Sequence, residues 1–170
     1  SATAVTLMSR FGYVFETPPG SDYPPIARLR RMVHGQPLTI TGAGGDIPFL
    51  PIAVEHGQNY TALGFRIGSA AYVPDVSRLP DSAMAALSGL ELLILDALRH
   101  RPHPTHFSVQ ESLAAISELK PRHAVLTNLH TDIDYFNLAN DLPDHIEPAF
   151  DGWSGFAALE HHSRVYILVP

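Results

Sequence analysis

The chain has 170 residues, 45% of them hydrophobic and 16% charged, with ten histidines, fifteen prolines and no cysteine. That length suits one domain burying roughly two-thirds of its unfolded surface, and a mean hydropathy near zero with no apolar run approaching about 20 residues excludes disorder and a membrane-spanning chain. The missing cysteines exclude a disulfide scaffold, an iron–sulfur cluster, a thiolate zinc site and a cysteine nucleophile, and a net charge of −6 offers no pull toward nucleic acid or an anionic membrane.

In chain order, residues 1–8 lack the basic and apolar regions of a secretory signal. Phe11 to Phe15 has strand composition and stops at Thr17-Pro18-Pro19-Gly20; Pro24 and Pro25 keep the next stretch extended. Leu38-Thr39-Ile40 and Ile47 to Val54 read as strands joined by a tight turn at Gly42-Ala43-Gly44-Gly45, which lacks the Lys-Ser/Thr ending of a phosphate loop. Leu63 to Ile67 and Ala70 to Val73 form a strand pair turned at Gly68-Ser69. Asp81 caps a short helix running to Gly89. Leu92 to Leu95 is a buried strand ending at Asp96. Ser108 and Glu111 form a capping box for a helix whose apolar face is Leu113, Ile116 and Leu119. Ala124 to Thr127 is another buried strand, Tyr135 to Asp141 a helix, and Val165 to Val169 a last strand. Strand–helix alternation of this kind predicts a layered α/β domain without repeats or linkers.

Groups able to bind metal gather at the ends of the apolar strands. His56 follows Ile52-Ala53-Val54, Asp75 follows Ala71-Tyr72-Val73, and Asn128 and His130 follow Ala124 to Thr127. Strand ends form the rim where α/β folds bind ligands, and imidazole with carboxylate suits zinc, manganese or iron(II). His106, at the entrance of the capped helix, is placed to act as a general acid or to bond a phosphoryl oxygen. His100 and His103 read as loop residues. His34, His123, His145, His161 and His162 read as exposed, and Arg28, Arg30 and Arg31 as a solvated face. Ser9, Ser77 and Ser154 lie in no nucleophile elbow.

The series Val54-Glu55-His56-Gly57, Gly64-Phe65-Arg66-Ile67, Ala71 to Val76, Leu95-Asp96-Ala97-Leu98-Arg99, His103-Pro104-Thr105-His106, Leu126 to His130 and Ala149-Phe150-Asp151-Gly152 resembles the metallo-β-lactamase-fold hydrolases. More narrowly, it is similar to the branch containing the phosphonate-pathway phosphoribosyl cyclic phosphate phosphodiesterase. The resemblance implies an αββα sandwich with two divalent transition-metal ions, zinc or manganese. It makes His56 and Asp75 metal ligands, His106 the catalytic histidine, and a small cyclic or nucleotide-like phosphate ester the substrate. The last metal histidine of the family stands where this chain has Asn128. His130, two residues on and on the same side of an extended segment, is the expected replacement, with Asn128 and Asp151 as further metal or supporting residues.

The family's His-x-His-x-Asp-His loop is absent from these residues. The expectation is therefore a single, N-terminally truncated domain over residues 1–170, with partial or no metal occupancy and little activity by itself. It is expected to be cytoplasmic, to engage neither nucleic acid nor membrane, and to form a homo-oligomer. Two other readings are open. One is a same-fold thioester or lactone hydrolase, or a tRNA-end nuclease that the acidic balance disfavours. The other is a non-catalytic remnant that self-associates or binds a partner.

Overall fold

The computed structural model describes residues 2–158 and 164–168; His161 and His162 lie outside them. The chain divides into two compact units, residues 1–32 and 33–170. The first unit contains helix α1 (Ala2–Phe15), which breaks at Phe11 (φ −133°, ψ 28°), followed by extended chain in which the amides of Ile26 and Ala27 donate to the Val14 carbonyl. The strand expected at Phe11 to Phe15 is therefore helical. Ala2, Ala4, Leu7 and Met8 favour helix up to the break at Phe11, and helix resumes beyond it although Tyr13, Val14 and Phe15 have a weaker preference.

The second unit is built on a seven-stranded sheet in sequence order: β1 (Leu38–Gly42), β2 (Gly45–Glu55), β3 (Thr61–Ile67), β4 (Ala70–Val73), β5 (Leu92–Asp96), β6 (His123–Thr127) and β7 (Ile146–Pro148). The first four strands pair antiparallel, and β4 to β7 pair parallel. Gly42 pairs with Gly45, so the glycine-rich stretch is the expected tight turn, with Gly45 at φ +107°. Helices α2 (Asp81–Ala86), α3 (Val109–Leu119) and α4 (Tyr135–Asp141) connect the parallel strands, and β8 (Ser154–Ala158) and β9 (Arg164–Leu168) form a separate antiparallel pair.

Period-two alternation sorts the strand side chains onto two faces. Val73, Leu93, Leu95 and Leu126 meet Ala83, Leu87, Ile116 and Leu138 on the helical side. Ala70, Leu92, Ile94 and Val125 cluster with Trp153 on the other. Both faces being covered explains why β5 and β6 are unbroken apolar runs. The capping box is formed as expected: Ser108 Oγ accepts from the Glu111 amide, and the Glu111 carboxylate accepts from the Ser108 amide. Asp81, however, does not cap α2. Pro80 holds the N-cap position with no side-chain bond, and Asp81 lies in the first turn, where its charge complements the helix dipole.

Candidate metal centre

β2 and β4 run in the same direction because both are antiparallel to β3, and β5, β6 and β7 run parallel to β4. The carboxyl ends of five strands therefore share one sheet edge. Along it stand His56 after β2, Asp75 after β4, Asp96 at the end of β5, Asn128 after β6 and Asp151 beyond β7. The loop between β5 and α3 delivers His106 to the same place.

His56, Asp75 and His106 each bring one ligand atom to within 4.8 Å of the others. The imidazoles of His56 and His106 lie 4.6 Å apart, edge to face. The backbone positions His56 tightly: its amide donates to the Tyr60 carbonyl at 2.8 Å, and the next residue, Gly57, donates to Ser77 Oγ at 2.8 Å. Gly57 has φ +86°, and a Cβ there would lie 3.0 Å from Thr105 Cγ2, so the turn also requires glycine for the close approach of the His106 loop. Glu55 and Arg78 form a two-point ion pair across the same corner, and the Arg78 guanidinium holds the Glu55 carboxyl below its ordinary range.

Asp96 is fully buried. Its Oδ2 accepts from the Val76 amide at 3.0 Å and from His106 Nδ1 at 2.7 Å, and its Oδ1 accepts from Asn128 Nδ2 at 3.1 Å. Burial pushes the Asp96 carboxyl up, and the bonds from Val76, His106 and Asn128 pull it back. Because His106 Nδ1 is committed to Asp96, Nε2 is the nitrogen of that ring free for chemistry. This carboxylate–histidine pairing orients imidazoles in metal and acid–base sites alike.

The donor set fits a divalent transition metal. His56 Nδ1 is buried and has no hydrogen-bond partner among the described residues, whereas buried polar atoms are nearly always satisfied. A cation beside it would supply the missing partner. His130 is not brought into the group: its Nδ1 lies 3.0 Å from Asp132 Oδ1, and its ring is half exposed. Asn128 explains this placement, for its φ of +61° turns the chain as β6 ends and cancels the alternation that would set residues 128 and 130 on one side. Asp151 and Asn128 join Asp75, Tyr72 and Phe150 in lining an adjacent cavity of about 490 Å³. His103, read from the sequence as a loop residue, lies with its ring 5.3 Å from that of His106. Asp96, which joins the group through His106, was not among the site residues expected from the sequence; its signal is a carboxylate closing an otherwise wholly apolar run.

Residues 1–128 match the model of the beta-lactamase superfamily domain. Among solved structures, a diphosphatase from the PhnP family is 35% identical with a TM-score of 0.73, over 89% of this chain and 54% of that one. The metallo-beta-lactamase fold protein YhfI from Bacillus subtilis is 18% identical with a TM-score of 0.64, over 84% of this chain and 58% of that one. A curated relative, an octanoyltransferase of Porphyromonas gingivalis, is 27% identical over 152 residues, which are 86% of this chain and 29% of the relative. The chain thus spans little more than half of each of these two solved structures and under a third of the curated relative.

Proposed function

Because the chain belongs to the beta-lactamase superfamily, we propose that it carries part of the metal centre of a hydrolase that, as the intact protein, acts on a small cyclic or nucleotide-like phosphate ester with two divalent ions, zinc or manganese. The observation that carries this reading is the convergence of His56, Asp75 and His106 around an unsatisfied buried imidazole nitrogen. The phosphate ester is supported by the 35% identity to a diphosphatase.

A bound divalent cation supplies a Lewis acid for the phosphoryl oxygens and lowers the pKa of water. His56 and Asp75 hold it. As a water oxygen bonds to phosphorus and gives up its proton to solvent, the bond to the leaving oxygen breaks and that oxygen takes the proton of His106 Nε2, while Asp96 keeps the ring from turning. An acyl substrate is favoured only by the octanoyltransferase relative, of which this chain spans 29%.

The test is calorimetric titration of the metal-free chain with zinc and with manganese, followed by a panel of bis-p-nitrophenyl phosphate, thioester and lactone substrates. Weak but saturable binding, the partial occupancy that three grouped side chains allow, is the expected result, lost in His56→Ala; its absence in the parent chain overturns the metal centre in this chain. Cleavage of thioester or lactone alone overturns the phosphate ester in favour of the acyl reading.

A further inference from the structure

We infer that Asn128 is a positioning residue: its side-chain amide fixes the Asp96 carboxylate, and through it the imidazole of His106, rather than contacting a metal. The first observation is the direction of the amide. Asn128 Nδ2 faces inward, donating to Asp96 Oδ1 at 3.1 Å and reaching the Pro74 carbonyl at 3.4 Å. Its two hydrogens are thereby directed at the ends of β5 and β4. Nδ2 also lies 3.2 Å from His106 Nδ1. That nitrogen spends its proton on Asp96, so the contact packs the amide against the ring without adding a bond.

The second observation is the accounting at Asp96. Its Oδ2 has two donors, the Val76 amide and His106. Its Oδ1 has Asn128, and no other donor reaches it among the described residues. In a fully buried carboxylate an oxygen stripped of its donor is costly, so without Asn128 the group is driven to rotate or to recruit water, and either change releases His106. The third observation is the backbone. Asn128 has φ +61°, a conformation that asparagine tolerates better than most side chains and that aims this amide into the corner between the strand ends.

The inference concerns the metal-free side-chain network and rests on the metal-centre reading only for what His106 faces. Its test therefore needs neither metal nor turnover. Histidine-labelled chain is examined by NMR for the His106 Nδ1 proton, which a bond to a buried carboxylate protects from exchange with water. Two variants are compared with the parent. Asn128→Gly suits the left-handed backbone and removes the side chain. Asn128→Asp keeps the shape and replaces the donor by an acceptor. Both are expected to accelerate exchange of the His106 proton by about tenfold or more, the change in opening that follows from losing one hydrogen bond to a buried carboxylate. Backbone amide protection in β5 is expected to stay unchanged.

An unchanged His106 proton in either folded variant overturns the inference. A role confined to touching a metal predicts that unchanged result, because no metal is present. If Asn128→Gly does not fold, Asn128→Asp decides alone. If neither folds, Asn128 is a folding residue and the inference falls. Failure of zinc binding in the parent chain would overturn the proposed function while leaving this result to stand by itself.

Discussion

The three grouped side chains are not equivalent. His56 has a buried nitrogen with no partner among the described residues, while His106 has one nitrogen committed to a buried carboxylate. The proposed ligand and the proposed proton donor are therefore separable by substitution. His56→Ala is expected to abolish zinc binding in this chain and turnover in the complete protein together. His106→Asn is expected to keep zinc and lose about 10²- to 10⁴-fold in rate, the usual worth of a positioned acid. Zinc titration beside rate measurement reads both; loss of zinc in His106→Asn would make His106 a ligand. Histidine and carboxylate at successive strand ends were visible in the sequence because a polar group closing an apolar strand is conspicuous. Asp96 closes such a strand too, but a lone carboxylate there reads equally well as the strand's terminator. Asn128 was legible as a position and not as a role, since the direction of its amide depends on a backbone angle that residue order does not reveal.

At the scale of elements, the corner carrying His56 depends on two contacts between loops. Gly57→Ala places a Cβ against Thr105 at a positive φ and is expected to cost about 1–2 kcal/mol, measured by urea unfolding. The Glu55–Arg78 pair ties the end of β2 to the segment leading into α2. Its effect is small because both side chains are well exposed. The sign follows from the direction of the shift: Glu55 titrates lower in the folded chain, so the contribution is present at neutral pH and is lost as pH falls through the lowered value. Thermal midpoints of the parent and Glu55→Gln should therefore differ slightly at pH 7 and converge in acid; a gap that widens in acid would contradict the assignment. Elements with long apolar runs or explicit caps, such as β5, β6 and α3, were legible from residue order. β7 was not, because three residues that include Pro148 carry no periodicity. α1 misled because aromatic composition signals a strand only where a sheet is there to receive it.

For the molecule as a whole, the two-faced sheet is the support on which the strand-end groups stand. Leu93 lies in its middle with no exposed surface, so Leu93→Ala is expected to cost about 2–5 kcal/mol in chemical denaturation. A much smaller loss would mean that the helical side repacks freely. No helix among the described residues is long and apolar enough to cross a membrane. The opposite side of the sheet is closed by Trp153, the only tryptophan in the chain. Its ring clusters with Ala70, Leu92, Ile94 and Val125, and its indole N–H donates to Glu147 at 2.9 Å. That seat makes the chain its own fluorimeter. With a single tryptophan resting on the parallel strands and excited apart from the tyrosines, a shift in its emission reports the state of the very sheet that aligns the metal-binding edge, with no label to introduce.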